Sequence, residues 1–243
     1  MAFCGALNCF PSDEDSLEDI TDSSSASLSY VGLAAYNALK SKHECFRHSQ
    51  WNVSSGKPVG KLQQTPGAEI FHSQNDPPPN HSDWFLEKLK EVMIKTTTWC
   101  DLMTLTPPTG VFITIIKEAL LTICETAQSK EKPIIVRMMF GEVIASPFNC
   151  DQLINDLTSD LPKDANVELW VGSWRKGVSW NHAKMIAVDG KYLHTGGHNL
   201  WDEHYLINNP VHDLSIEMEG RVTHDGHLVS HHRFLFHLLF ERI

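Results

Sequence analysis

The stretch WNHAKMIAVDG at residues 180–190 is the part of the sequence around which the rest is organised. Apolar residues flank its Asp189-Gly190 pair, and an Asp-Gly pair between two strand-like runs predicts a tight β-hairpin. Side chains two residues apart on a strand face the same side, so His182 and Lys184 are predicted to project together. The stretch therefore predicts a hairpin that carries a histidine and a lysine as neighbours.

Those two side chains suit chemistry on an anion. A lysine beside a histidine lowers the pKa of the imidazole, which favours a neutral nucleophile, and it also supplies positive charge to a phosphate oxygen. Gly196 and Gly197 follow the second strand of the hairpin, and small residues there are expected to let backbone amides approach an anion. The amide of Asn199 adds a further donor.

Asp213 begins the run DLSIEME, whose alternating apolar residues predict a half-buried strand. If that strand lies beside the hairpin, the Asp213 carboxylate reaches the second ring nitrogen of His182, fixes its tautomer and stabilises the imidazolium. The alternative is a solvated residue at the start of a strand. With Asp213, the set offers a nucleophile, an orienting acid and several anion donors, which is what phosphodiester displacement through a covalent intermediate requires.

The elements around the hairpin alternate between helix and strand, which predicts an α/β layer structure around a mostly parallel or mixed sheet. Helices are predicted from Ser82-Asp83 through Val92, and over 111–127, 151–161 and 226–243. Strands are predicted over 96–106, 134–140, 166–172, 182–188, 191–196 and 213–219.

The first 80 residues differ from this pattern. Residues 11–29 are acidic and rich in serine, which favours disorder, and residues 28–45 are compatible with one short helix. Residues 50–82 carry Gly, Pro, Gln and Asn throughout and are interpreted as a linker. We therefore predict a largely disordered region over 1–80 and a folded lobe over 81–243.

Composition excludes several classes of protein. The net charge of −10 argues against whole-chain attraction to nucleic acid. The absence of a CxxC pair argues against a zinc framework, and no run of apolar residues is long enough for a spanning helix. Without a recognisable secretory signal, a cytoplasmic location is favoured. His227 and His231 have the spacing of a helical zinc pair, but solvated or interfacial helix residues are the favoured interpretation, and a metal-binding protein is a distant alternative.

The spacing His182-x-Lys184-x4-Asp189, followed by Gly196-Gly197-x-Asn199, resembles the HKD signature of the phospholipase D superfamily. The resemblance implies a layered α/β/α lobe with a mixed sheet and a phosphohistidine formed on His182. It assigns Lys184 and Asn199 to the phosphate, and Asp213 to the orientation of the histidine.

The remaining positions of the motif follow from the same resemblance. Asp189 is counted with the catalytic set as the motif aspartate, although in that family it lies away from the substrate and supports the hairpin. Gly196-Gly197 stands where many members have Gly-Ser, so one hydroxyl contact to phosphate is missing. No metal or other cofactor is implied, because lysine and asparagine supply the electrostatics.

The family's active site takes two such motifs, and this sequence contains one. Two arrangements remain open: a homodimer of two copies, or one lobe of a larger two-lobed enzyme. The expected activity is hydrolysis or transfer at a phosphodiester, with phospholipid favoured over nucleic acid. The basic, aromatic loop 173–180 suits an anionic or lipid headgroup substrate, and a packing role for Trp174 and Trp180 is the alternative. Peripheral membrane contact is counted among the expected partners. A non-catalytic binding or assembly lobe, and an endonuclease of the same superfamily, are the alternatives.

Overall fold

The computed structural model describes residues 56–66, 82–144, 148–207, 209–228 and 230. The predicted helix over 28–45 and the acidic segment over 11–29 lie outside these described residues. The described elements are β1 Lys57–Thr65, α1 Trp84–Met93, β2 Trp99–Thr104, α2 Gly110–Ala127, β3 Ile134–Gly141, α3 Cys150–Thr158, β4 Val167–Lys176, β5 Ser179–Trp180, β6 Met185–Val188, β7 Tyr192–Gly196, α4 Asp202–Tyr205 and β8 Asp213–Glu219. Residues 221–228 are also helical.

The strands form one mixed sheet in the order β1-β8-β7-β6-β2-β3-β4-β5. The three neighbouring strands β2, β3 and β4 are parallel to one another, and α2 and α3 connect them in sequence. All other neighbouring strands pair antiparallel. The predicted α/β class with a mixed sheet is confirmed.

Helices lie on both faces of the sheet. The larger core packs α1, α2 and α3 against one face, and Leu89, Phe112 and Ile116 are fully buried there. A smaller methionine-rich core lies on the other face, where Val222 of the 221–228 helix packs against it. This layering follows from the sequence, because each helix is apolar on one side and the strands β2 and β3 are largely apolar and buried.

Two predictions about loops are corrected. Residues 57–65, interpreted as part of a linker, form β1 along β8, with Thr65 opposite Asp213 and Lys57 opposite Glu219. Their polar composition suits an edge strand, which water can reach on one side. The segment interpreted as a loop over 173–180 instead extends β4 to Lys176 and returns as β5, because Gly177 adopts φ 60° and closes a tight turn.

The prediction that His227 is a solvated or interfacial helix residue is also corrected, because its side chain is buried inside the fold. Its Nδ1 donates to the buried Asp101 carboxylate at 2.6 Å, and its Nε2 accepts the Gly190 amide at 2.9 Å. Arg137 completes a bidentate ion pair with the same carboxylate. Both ring nitrogens of His227 therefore hold the hairpin turn and β2 together. The partner His231 of the predicted zinc pair lies outside the described residues.

No helix among the described residues combines the length and the apolar character needed to cross a bilayer.

Candidate active site

The candidate site lies where the parallel strands β2 and β3 end at their carboxyl termini. β6 runs antiparallel to β2, and Met185 faces Met103 at the last pair of their register. Residues 181–184, which precede β6, therefore lie at the carboxyl end of β2 and just beyond it. Sites in α/β sheets gather at this edge, because side chains from several strand ends converge there.

Asn181 anchors this segment. Its Nδ2 donates to the carbonyl oxygens of Thr104 at 3.1 Å and Met139 at 3.3 Å, which close β2 and β3. Its side chain is fully buried, and its backbone amide donates to the Trp174 carbonyl at 3.2 Å. Because Asn181 bonds buried carbonyl oxygens near the carboxyl ends of two parallel strands, the residue that follows it is held at a defined place above the sheet.

His182 and Lys184 meet as predicted, although they precede β6 and are not part of it. Lys184 Nζ lies 3.1 Å from His182 Nδ1 and 3.4 Å from Nε2, and it donates to the His182 carbonyl oxygen at 2.9 Å. The lysine is buried and the histidine is exposed. The ammonium therefore lies beneath an imidazole that solvent, or a substrate, can reach.

Electrostatics favour a neutral His182. Partial burial, followed by the charge of Lys184, lowers the pKa of His182 below its usual range. Burial also lowers the pKa of Lys184, while the negative charge of Asp213 raises it. The lysine is therefore poised to receive an anion, because an added negative charge offsets the cost of its burial.

Asn199 is oriented by the end of β2. Its Oδ1 accepts from Thr104 Oγ1 at 3.0 Å and from the Leu105 amide at 3.2 Å. With the oxygen held in this way, the two amide hydrogens on Nδ2 are the part of the side chain left for a ligand. The backbone amide of Asn199 donates to the Tyr205 hydroxyl at 2.9 Å.

The predicted contact between Asp213 and His182 is wrong. Asp213 Oδ2 accepts the Tyr205 hydroxyl at 2.6 Å, and this hydroxyl in turn holds the Asn199 amide. Burial and the Asp213 carboxylate raise the pKa of Tyr205, so the phenol remains a donor. Asp213 therefore acts on the site through Tyr205 and through its charge near Lys184.

The anion-binding role predicted for the two glycine amides is also corrected. The Gly196 amide donates to the Lys184 carbonyl at 3.3 Å, and the Gly197 amide donates to the Leu214 carbonyl at 2.8 Å. A side chain at Gly196 would lie 2.1 Å from the Leu214 oxygen, and one at Gly197 would lie 2.3 Å from Asp213 Oδ1. The glycines are needed because β7 and β8 approach closely at this point, and their amides are already used.

Asp189 lies at the opposite end of β6 and holds the hairpin turn. Its carboxylate accepts the amides of Thr97, Thr98 and Trp99 at 2.8–2.9 Å, and the Thr97 hydroxyl at 2.7 Å. Its backbone has φ 52°, a left-handed conformation that aspartate tolerates better than most residues. With four donors on its carboxylate, Asp189 has a structural role in the hairpin.

The other two histidines of this region belong to the core. His198 contacts the Thr65 hydroxyl through Nε2 at 2.9 Å and the Ser215 hydroxyl through Nδ1, and its ring packs on Phe85. Burial lowers the pKa of His198 to about 3 and that of His194 to about 4. Both rings line a small cavity beneath Lys184, on the side of the sheet that faces α1.

Sequence reasoning gave no role to Asn181, Thr104 or Tyr205. Asn181 had a usable signal, because it directly precedes the histidine of the motif. Thr104 and Tyr205 had none, because they reach the site only through the pairing of strands that are distant in sequence.

The fold and the site together define an α/β protein with a His-Lys pair on a hairpin beside the carboxyl ends of its parallel strands. The chain is similar to the protein named Phospholipase D of Streptomyces antibioticus, with 30% identity over 179 residues. This match confirms the resemblance to the phospholipase D superfamily that the motif indicated. It covers 70% of this chain and 31% of the length of that relative.

Two solved structures align with about three quarters of the chain at low similarity. Nuc, a phospholipase D family member from Salmonella typhimurium, has 10% identity and a TM-score of 0.47, over 73% of this chain and 95% of that chain. NucT from Helicobacter pylori has 13% identity and a TM-score of 0.48, over 74% and 96%. These TM-scores are too low to carry an argument, so the family resemblance rests on the sequence match. No family model matches the chain.

Proposed function

We propose that this chain cleaves or transfers phosphodiesters through a covalent intermediate on His182. The observation that carries the proposal is the pairing of an exposed imidazole with a buried lysine at 3.1 Å. A neutral imidazole is a nucleophile, and the buried ammonium supplies charge where negative charge builds on phosphorus-bound oxygen.

The steps follow from these roles. An imidazole nitrogen of His182 attacks phosphorus, a nitrogen–phosphorus bond forms, and the bond to the leaving alcohol oxygen breaks. A second histidine gives its proton to that oxygen. It then takes a proton from water or from an acceptor alcohol, whose oxygen displaces His182 and restores the imidazole. Lys184 Nζ and Asn199 Nδ2 hold the phosphate oxygens throughout.

The second histidine has to come from another motif, because the sequence contains a single His-x-Lys. We propose that a second copy of this chain, or a second lobe, places its own His182 equivalent opposite the first. The exposure of His182 supports this arrangement, because a site closed within one copy would have buried it.

Phospholipid is the proposed substrate class. The net charge of −10 disfavours long-range attraction of a nucleic acid, and the relative with 30% identity is named Phospholipase D. The scheme takes no cofactor and no metal. A binding or assembly lobe without catalysis is the alternative, since one motif by itself supplies only half of the chemistry.

Trapping of the intermediate tests the nucleophile. We expect the wild-type chain, quenched during turnover of a soluble aryl phosphodiester, to carry a phosphoryl group on His182 by peptide mass spectrometry. His182→Ala abolishes both the adduct and the turnover, whereas the exposed control His212→Ala keeps both. Full turnover by His182→Ala refutes the assignment.

The mass in solution tests whether a second copy completes the site, and assays on three substrates test the substrate class. Turnover that follows the dimer fraction in light scattering supports completion by a second copy, and full activity of a monomer overturns it. An inert monomer on phosphatidylcholine, on the aryl diester and on single-stranded DNA supports the binding lobe. Cleavage of DNA alone moves the substrate class to nucleic acid.

A further inference from the structure

The β4–β5 hairpin carries exposed residues close to the candidate site and has no role in the scheme above. Arg175 pairs with Trp180, Lys176 pairs with Ser179, and the turn between them is closed by Gly177 at φ 60°. The side chains of Arg175 and Lys176 are exposed, and the two tryptophans that flank them are half-buried. The tip is thus a short basic turn on an aromatic base.

The apolar residue at this tip is strongly exposed. Val178 has 84% of its surface accessible, the highest value among the exposed large hydrophobic residues that the structure describes. Single exposed apolar residues are common on protein surfaces and by themselves carry no meaning. Val178 differs because two cations lie beside it and the candidate nucleophile follows it closely in the chain.

The base of the hairpin is hydrogen-bonded to two neighbouring segments, which fixes where the hairpin leaves the sheet. The Trp174 carbonyl accepts the Asn181 amide at 3.2 Å and the Glu142 amide at 3.3 Å. These bonds tie the hairpin to the end of β3 and to the segment that carries His182. Ile144, two residues beyond Glu142, is a second exposed apolar side chain, with 57% of its surface accessible.

Charge distinguishes the tip from the chain as a whole. The chain carries 30 acidic and 20 basic residues, yet residues 173–180 include Arg175 and Lys176 and no acidic residue. Glu142 is the acidic residue bonded through its backbone to the hairpin base. Adjacent lysine and arginine attract anionic lipid surfaces, and an exposed apolar residue at the turn that follows them gains by entering the headgroup layer.

The distances fit a bilayer. His182 lies four positions after Val178 in the chain, so their Cα atoms are at most about 14 Å apart. The headgroup layer on each side of a bilayer is roughly 5–8 Å thick. A tip that enters this layer therefore leaves His182 at the level of the lipid phosphates or just above it.

We infer that the β4–β5 hairpin is a membrane-docking element, with Val178 entering an anionic phospholipid surface and Arg175 and Lys176 binding its phosphates. The inference rests on the proposed function, in that it names the surface that presents the diester to His182. A nucleic acid would use the two cations but gains nothing from the apolar tip, so the bilayer is the favoured partner.

Vesicle flotation of the full chain tests the inference, in a His182→Ala background so that binding is measured without turnover. We expect binding to vesicles of phosphatidylcholine with phosphatidylglycerol, and much weaker binding to phosphatidylcholine alone. Arg175→Gln with Lys176→Gln weakens binding roughly thirtyfold, at about fivefold for each charge. Val178→Ser weakens it about fivefold.

Strand β1 offers the matched control, because it lies at the opposite edge of the sheet. It presents Lys57 and Lys61, and Leu62 with 60% of its surface accessible. Leu62→Ser, and Lys57→Gln with Lys61→Gln, are expected to leave vesicle binding unchanged. Circular dichroism and Tm verify that each variant is folded.

Three outcomes overturn the inference: no binding to anionic vesicles, loss of binding in the β1 variants only, or binding to single-stranded DNA that depends on Arg175 and Lys176 but not on Val178. The last outcome makes the tip a nucleic-acid contact. Because the His182→Ala background is inactive under the proposed function, a failure of docking here is separate from a failure of the nucleophile assignment.

Discussion

The two ends of strand β6 carry the charged residues of one motif, yet their environments are opposite. At the end where the chain enters the strand, the exposed His182 has Lys184 as its hydrogen-bonding partner. At the turn, the Asp189 carboxylate accepts four hydrogen bonds from residues 97–99. The His182 end keeps hydrogen-bonding groups that a ligand could use. At the turn, the hydrogen-bonding groups of Asp189 are already bonded within the fold.

This difference separates two environments within a single sequence pattern. A buried cation beside an exposed base costs stability unless a ligand arrives, which is the condition expected of a site. A carboxylate saturated by backbone amides stabilises the turn whether or not a ligand is present. Spacing alone does not distinguish these cases, because all three residues recur together in the motif.

The largest expected effect tests the entering end. Lys184→Met should lower the turnover of a phosphodiester by about 10²–10³, as expected for removal of one preorganised donor to a developing charge. Because the charge of Lys184 lowers the pKa of His182, its loss raises that pKa and moves the acid limb of the pH–rate profile to higher pH. Lys191→Met, at the turn end of the same hairpin, is the control and should change neither quantity. An unshifted acid limb would show that the two residues are not coupled.

The second test removes the support at the turn. Asp189→Gly should lower the free energy of unfolding by about 2–4 kcal/mol, because backbone amides lose a charged acceptor. Asp189→Ala should lower the free energy of unfolding by about 1 kcal/mol more than Asp189→Gly does, because alanine is strained at a positive φ. Urea denaturation measures both, with the exposed Asp164→Gly as reference. The folded fraction should retain its turnover; loss of turnover without loss of stability would place Asp189 in the chemistry.

The third test concerns His194 and His198, which are buried in the core, unlike the exposed His182. Their native pKa values of about 4 and about 3 lie below the unfolded value of about 6.5. The unfolded chain therefore binds protons first as the pH falls, so stability is greatest above about pH 6.5 and declines below it. At about pH 5, each of the two buried rings should have lowered the free energy of unfolding by on the order of 2 kcal/mol.

Urea denaturation across this pH range measures the slope. His198→Gln should make it shallower, because one buried titrating ring is gone, whereas the exposed control His212→Gln should leave it unchanged. An equal slope in His198→Gln and wild type would mean that His198 is not held neutral by burial.

The smallest effect concerns the hydroxyl that links both halves of the site. Tyr205→Phe removes the bond to Asp213 and the acceptor of the Asn199 amide, and should raise KM for a diester by about tenfold, or about 1.4 kcal/mol. Tyr192→Phe is the matched control, because its hydroxyl bonds Glu217 and not a residue of the site. Both variants should lose comparable stability. If KM rises equally in the two, the effect of Tyr205 is only structural.

Much of the fold was predictable from the sequence, because the helices and most strands have a regular spacing of apolar residues. The helix over 111–127 and the strands over 134–140 and 213–219 were placed within a residue or two, since each has a clear apolar period. Strand β1 was missed for the opposite reason. Its residues are polar on both sides, and they become a strand only because β8 offers an unpaired edge.

By itself, the sequence determined the alternation of helices and strands, the hairpin, and the meeting of His182 with Lys184, because these depend on residues close together in the chain. The tertiary structure decided the partner of Asp213, the packing role of Gly196 and Gly197, and the burial of His227. Each of these depends on which strands and helices become neighbours. Local spacing does not encode contacts between elements that are distant in sequence, so these roles emerged only once the sheet was assembled.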